Sequence, residues 1–306
     1  MADLPFPFLR ENVPLAPFTT WRIGGPARYL AEPPAESLPA LLAWACAGGL
    51  PVWILGRGSN VLIDDAGLPG LVILTRNIWQ EIRREGDFIV AGAGVSLPRL
   101  SKAAAAEGFS GYEFYIGIPG TVGGAVFMNA GFGPGDPRDT RALLEDVELV
   151  RPCEEAVRVA AANLHLTYRR SVLQEPSGPF AGAVITGARF RLAQPGDAAA
   201  IRGETRKHLA DRKRKQPLTR PTAGSVFRAS DGVPAAVHID RAGLKGFRIG
   251  DACVSPKHAN WIENLGSASA ADVRALIRHV EDAVQTTFGV TLEPEVREMG
   301  GCARRE

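Results

Sequence analysis

The fold of this chain turns on Gly117-Ile118-Pro119-Gly120-Thr121-Val122-Gly123-Gly124-Ala125-Val126-Phe127-Met128-Asn129-Ala130-Gly131, where glycine and small residues crowd a run that is otherwise apolar and β-prone. Glycine weakens a strand unless another backbone or a ligand must approach closely. The composition therefore excludes bulk, which marks a ligand loop; a tight helix packing contact is the competing reading.

Upstream, Leu55-Gly56-Arg57-Gly58-Ser59-Asn60 follows directly on a β-branched and aromatic strand, Val52 to Leu55. Its glycines permit positive φ and close backbone approach, a nest of N–H groups suited to a pyrophosphate. Plain turn chemistry explains such a G-x-G equally well, and the spacing is not a Rossmann fingerprint. Downstream, Pro221-Thr222-Ala223-Gly224-Ser225-Val226-Phe227-Arg228 sets a serine after a glycine but lacks the second glycine of a hydrolase elbow. By spacing alone that serine is a turn or capping hydroxyl.

Between these segments the pattern alternates. Leu38 to Ala47 is an apolar helix stopped by Gly48-Gly49, Val61 to Ile63 and Leu71 to Leu74 are buried strands, and Asp64 to Gly70 is a turn-rich connection. A hairpin is predicted from Gln80 to Arg84, through Glu85-Gly86-Asp87, to Phe88 to Ala91. Leu97 to Glu107 is helical, Val147 to Val159 reads as β, and Ala183 to Leu192 alternates Val184, Thr186, Ala188, Phe190 and Leu192 against Ile185, Arg189 and Arg191. A basic helix, Ala198 to Lys215, precedes the proline-spaced Gln216 to Pro221, where a third domain begins. The helix Ala270 to Phe288 packs Val273, Leu276, Ile277, Val280, Val284 and Phe288 on one face.

Composition narrows the function classes. With 306 residues, a 45% hydrophobic and 22% charged chain is globular and long enough for two or three domains. A net charge of +2 makes no case for nucleic acid, and the cluster Arg202, Arg206, Lys207, Arg212, Lys213, Arg214, Lys215 and Arg220 contains no aromatic residue for base stacking. It is either a polyanion site or the solvated face of a helix. Cys46, Cys153, Cys253 and Cys302 are scattered without metal-ligand spacing, which argues against zinc, iron–sulfur and a disulfide scaffold and for a reducing cytoplasm. The amino terminus lacks the pattern of a signal peptide, and no stretch has the length and apolarity of a membrane span.

Taken in order, the motifs resemble the UDP-N-acetylenolpyruvoylglucosamine reductase family over nearly the whole chain. They are Thr19-Thr20-Trp21-Arg22-Ile23-Gly24-Gly25-Pro26-Ala27, Gly56 to Asn60, Ile118 to Gly131, Tyr168-Arg169-Arg170-Ser171, Lys215-Gln216-Pro217 and Ala223-Gly224-Ser225-Val226-Phe227. Ala242-Gly243-Leu244-Lys245-Gly246, Val254-Ser255-Pro256-Lys257-His258-Ala259-Asn260 and Leu292-Glu293-Pro294-Glu295-Val296 complete the set.

The resemblance implies an α+β, vanillyl-alcohol-oxidase-like FAD-binding fold of two lobes, residues 1–78 and 79–200. A C-terminal α+β substrate domain, 201–306, follows, its last residues packing back on the first lobe. The implied reaction is NADPH-dependent, FAD-mediated reduction of UDP-N-acetylglucosamine enolpyruvate to UDP-N-acetylmuramate in peptidoglycan precursor synthesis, by a cytoplasmic monomer that needs no metal, nucleic acid or membrane. Ser225 is implied as proton donor, with Arg169 and Glu295 completing the catalytic set. FAD falls to Arg22, Gly56, Arg57, Gly58, Ser59, Asn60, Ile118, Pro119, Gly120, Val122, Gly123, Gly124, Asn129, Ala130, Gly131, Ile185 and Arg228. The UDP sugar falls to Lys215, Gln216, Gly224, Lys257, His258 and Asn260. Two departures stand out: Arg228 replaces a frequent lysine, and the tyrosine-bearing loop of the longer family form has no counterpart here. An FAD oxidase of the same fold, or a nucleotide-sugar or RNA-binding protein built on the basic cluster, is the alternative.

Overall fold

The computed structural model describes residues 4–192, 194–230 and 232–301; Cys302 lies outside them. In chain order the elements are β1 (Leu9–Pro14), β2 (Pro26–Ala31), α1 (Leu38–Ala47), β3 (Val52–Leu55), β4 (Val61–Ile63), β5 (Leu68–Leu74), β6 (Ile82–Glu85), β7 (Phe88–Gly92), α2 (Leu97–Ala106), α3 (Val122–Met128) and α4 (Thr140–Leu143). Then come β8 (Leu144–Val150), β9 (Val157–Ala160), β10 (Val184–Arg191), α5 (Ala198–Lys215), α6 (Ala235–Arg241), β11 (Arg248–Ile249), β12 (Ala252–Val254), β13 (Ile262–Asn264), α7 (Ala270–Phe288) and β14 (Arg297–Met299). The chain divides into two compact units. One holds Met1–Arg10, Leu30–Arg57 and Gly70–Arg212; the other holds Glu11–Tyr29, Gly58–Pro69 and Lys213–Glu306.

In the first unit an antiparallel sheet runs β6-β7-β10-β8-β9. The predicted hairpin is present: Glu85 pairs with Phe88 across Gly86-Asp87, and Gly86 takes the positive φ of 58° that a two-residue loop needs. β10 carries register shifts at Ile185/Gly187 and Arg189/Phe190, so its alternation is broken and Ile185 is buried along with Val184, Ala188 and Phe190. Helix α3 packs on β7, β10 and α2, which makes this part of the glycine segment helical and its packing a close one. A Cβ on Gly123 would lie 3.1 Å from the Ala93 side chain. β5 begins at Leu68, inside the connection predicted to end at Gly70, and pairs in parallel with β3 from Val52↔Leu71 to Leu55↔Leu74.

The second unit places α7 against β11 and β12 of the three-stranded sheet β11-β12-β13. Its core joins Trp21, Ile23 and Leu62 to Val226, Phe227, Ile239, Val254, Ile262, Val273, Leu276, Ile277, Val280 and Val284. Each such large side chain contributes roughly 1.5–3 kcal/mol of apolar burial. The indole of Trp21 donates to the Ile262 carbonyl at 2.8 Å and Asn264 Nδ2 to the Trp21 carbonyl at 3.0 Å. β14 pairs in parallel with β4, Arg297↔Val61 to Met299↔Ile63. Helix α7 starts at Ser269 with a reciprocal capping box to Asp272, and Asp65 accepts from the Ala270 and Ala271 amides at 2.8 and 3.0 Å. Phe288, expected on its buried face, is 38% exposed because Gly289 ends the helix there at φ 68°.

Candidate active site

The glycine segment enters through the 3₁₀ turn Glu113–Gly117, leaves Ile118, Pro119 and Gly120 as loop, and starts α3 under the cap of Thr121. Val122, Gly123 and Gly124 form its first turn. Backbone bonds from Leu97 to Gly120, Val122 to Val95 and Gly123 to Ala93 fasten the loop to the start of α2 and the end of β7. Thr121 is buried, yet among the described residues no acceptor takes its amide or that of Gly120. A Cβ on Gly117 would meet nothing within 4 Å, whereas one on Gly56 would come within 2.7 Å of Thr121 Oγ1. The segment thus offers backbone N–H donors beside open backbone, the arrangement an oxyanion-rich group such as a flavin dinucleotide requires.

At the other end of α3, Asn129 adopts the left-handed conformation at φ 43° and is 1% exposed. Its Nδ2 donates to Asp139 Oδ2 at 3.1 Å and to the Thr167 carbonyl at 2.9 Å, and its Oδ1 accepts from the Arg141 amide at 2.9 Å. Thr140 holds the Ala130 carbonyl through its amide and hydroxyl, both at 2.9 Å, and the hydroxyl accepts from Tyr115. Burial pushes the Tyr115 phenol well above its ordinary value, so it remains a donor.

Arg169 stands third in the turn Thr167–Arg170, closed by reciprocal backbone bonds of 3.1 Å. Its φ of 55° is one a branched or long side chain adopts at a cost of about 1–2 kcal/mol. Its guanidinium donates to the Gly131 carbonyl at 2.7 Å and the Asn129 carbonyl at 3.4 Å. Ser171 Oγ and Gln174 Nε2 both donate to the Phe127 carbonyl, at 2.7 and 2.8 Å. Structure thus joins the predicted Asn129, Ala130, Gly131 and Arg169 in one network, and adds Gln174, Asp139 and Thr140, which carry no motif of their own. Ile185 lies in β10, paired with Leu149.

In the second unit, Ser225 forms an antiparallel bridge with Trp261. Asn260 clamps Phe227, two residues on, from both sides, Oδ1 accepting from its amide at 2.9 Å and Nδ2 donating to its carbonyl at 2.8 Å. The Glu295 amide donates to the Val226 carbonyl at 2.7 Å, and Asn60 Nδ2 to the Glu295 carbonyl at 3.2 Å. Asn60, Ser225, Asn260 and Glu295, scattered in sequence, are therefore one connected group. Gly224 takes φ 82° with open space where a Cβ would stand. Arg228 is buried and paired with Glu293 at 2.8 Å. Beside it, burial and the Arg228 charge lower the Arg297 pKa.

Gly58, at φ 62°, brings its backbone against Phe18 and Thr19, and Thr20 donates to its carbonyl at 3.0 Å. Ser59 follows, partly buried, and Arg22 is exposed at φ 58°. Arg57 is exposed. Lys257 Nζ donates to the Lys213 carbonyl at 2.7 Å, and the Lys257 and His258 amides to Ser255 Oγ. His258 Nδ1 accepts from the Asn260 amide at 3.3 Å, a bond that needs a neutral ring; burial lowers its pKa. Lys215 is exposed and Gln216 partly buried. Most of the basic cluster faces solvent, Arg212 excepted.

Residues 29–160 match the model of an FAD-binding domain, and residues 216–299 that of the C-terminal domain of UDP-N-acetylenolpyruvoylglucosamine reductase. A protein of that name from Synechococcus sp. (strain JA-3-3Ab) is 45% identical over 95% of this chain and 91% of its own length. The chain belongs to the UDP-N-acetylenolpyruvoylglucosamine reductase family. Another relative of that name, from Agathobacter rectalis, is 40% identical over 97% of this chain and 96% of its own. The crystal structure of the Thermus caldophilus reductase superposes with a TM-score of 0.80 at 36% identity, covering 96% of this chain and 100% of that one. Membership in the reductase family makes the chain an oxidoreductase with FAD as cofactor, on the α+β FAD-binding fold followed by the family's C-terminal domain. Among the described residues no helix is long and apolar enough to cross a membrane, and no cluster of His, Cys, Asp and Glu is suited to a metal ion.

Proposed function

We propose that the chain reduces UDP-N-acetylglucosamine enolpyruvate to UDP-N-acetylmuramate with NADPH, as a cytoplasmic monomer in peptidoglycan precursor synthesis. The observation that carries this reading is kinship at 45% identity over 95% of the chain with a reductase named for that enolpyruvyl sugar. FAD, when bound, passes a hydride equivalent from NADPH to the terminal carbon of the enolpyruvyl group.

The chain's own residues supply the rest. Arg22, the Gly56 to Asn60 loop, the Ile118 to Gly131 segment, Ile185 and Arg228 hold the cofactor in this reading. Lys215, Gln216, Gly224, Lys257, His258 and Asn260 serve the UDP sugar, within a substrate domain of residues 201–306. Arg169 holds the substrate carboxylate, where negative charge builds as the double bond is reduced; a pre-aimed donor of this kind is worth roughly 3–4 kcal/mol. Ser225 Oγ delivers the proton to the neighbouring carbon, and Glu295 orients the enolpyruvyl group or a water. The partial burial of Ser225 and its anchoring beside Glu295 support these roles.

The test is spectroscopic. The purified protein should be yellow, bleach with NADPH without air, and recover its colour when the enolpyruvyl UDP sugar is added. Bleaching without recovery discards the substrate, and a colourless protein that cannot be reconstituted with FAD discards the reading.

A further inference from the structure

A non-glycine residue with positive φ persists only where its surroundings over-determine it, and such residues cluster where a side chain must be aimed. Arg169 is held that way from two sides. Asn129 Nδ2 clips the first residue of its turn by the Thr167 carbonyl, and Gln174 Nε2 reaches the Arg169 carbonyl itself at 3.2 Å. Gln174 also bonds Phe127 in the last turn of α3, so both clips refer the turn to one rigid element. The guanidinium then lands on the Asn129 and Gly131 carbonyls, on the segment that Asn129 anchors through Asp139 and Arg141.

The carboxamide of Asn129 has no donor left for a ligand. Both of its N–H donors are used, its oxygen is used, and the residue is 1% exposed. The Gln174 amide nitrogen likewise spends its two donors on two carbonyls. We propose that Asn129 and Gln174 are positioning residues that set the direction of the Arg169 guanidinium by clipping the Thr167–Arg170 turn to the end of α3. The proposal rests on the role given to Arg169 above. It assigns the Asn129 side chain to the arginine and leaves only its backbone for the cofactor.

The experiment is a double-mutant cycle on the FAD-loaded enzyme, using Asn129→Gly, Gln174→Leu, Arg169→Gly and the two double variants. Glycine suits the positive φ at 129 and 169, so the backbone is kept while the side chain is removed. In Gln174→Leu, bleaching by NADPH should stay within about twofold and the visible flavin spectrum should be unshifted. Recovery of colour with the enolpyruvyl UDP sugar should slow about ten- to a hundredfold for Asn129→Gly and several-fold for Gln174→Leu, the scale of a misaimed group. In the Arg169→Gly background neither should cost more than about a further twofold, since residues that act through one group are not additive.

Additive losses in the double variants overturn the proposal, as do wild-type recovery rates in both single variants. Loss of the flavin spectrum in Asn129→Gly overturns it for Asn129, whose side chain would then serve the cofactor loop; Gln174→Leu still tests the turn. A separate result, normal recovery by Arg169→Gly, sinks the role of Arg169 instead.

Discussion

The guanidinium of Arg212 donates to the carbonyl of Gly117 at 2.6 Å, tying the last turns of α5 to the first residue of the glycine segment. Among the arginines and lysines of that helix it is the one drawn inward, and burial lowers its pKa without displacing its charge. A charge-assisted bond of this kind is worth about 1.5–3 kcal/mol. Arg212→Ala is expected to weaken FAD retention about tenfold or more, measured by flavin fluorescence on titration into apoprotein. Arg206→Ala, on the exposed side of the helix, should leave it unchanged. Equal effects would return the whole cluster to a solvated face.

Ser225→Ala removes a hydroxyl and leaves the bridge to Trp261, which is backbone. Bleaching by NADPH should survive, while colour recovery with the enolpyruvyl sugar falls by about 10²–10⁴-fold, the range of a lost general acid. Stopped-flow traces at normal speed would take the proton-donor role away from Ser225.

Asp65 joins the β4–β5 connection to the start of α7 through two amides. Asp65→Ala should cost about 1–2 kcal/mol, as for a lost cap, and lower the melting temperature by about 2–5 °C. The neighbouring Asp64, paired with Arg274 at 2.6 Å, keeps the helix docked, so unfolding should stay cooperative in calorimetry.

His258 gives a pH dependence of definite sign. Its native pKa lies below the unfolded value of about 6.5, because burial disfavours the charged ring. The unfolded chain therefore takes up this proton first, and stability is lost as pH falls below about 6.5 toward the native pKa. His258→Gln should flatten part of that loss in denaturant midpoints measured at pH 7.5 and 5.5. Some loss should remain, because burial and Arg138 lower His208 in the same direction.

Much of this fold is legible from periodicity. α1, β3, β4 and α7 begin and end where apolar spacing and glycine stops place them, since local and tertiary preferences agree there. α3 is harder to read: with two glycines and two valines in seven residues it has poor helix propensity, and it stands on its Thr121 cap and on packing against β7 and β10. The site is legible through its motifs, yet what holds each motif is not. Gln174 and Thr140 have no local signature because their partners lie 47 and 10 positions away. Nor does composition separate Arg212 from the exposed arginines around it; only the approach of the Gly117 carbonyl does.

The second unit is also a matter of timing during synthesis. Trp21 waits for Ile262, 241 positions downstream, and Asn60 for Glu295, 235 positions downstream. At about 5–20 residues per second this is a delay on the order of tens of seconds. For most of it Trp21, Ile23 and Leu62 lack the core partners that begin at Ala223, and the parallel β4–β14 pair can form only once residue 299 is made. This unit should therefore be the one that depends on a chaperone in the cell, while the sheet β6-β7-β10-β8-β9 can close as soon as residue 191 emerges.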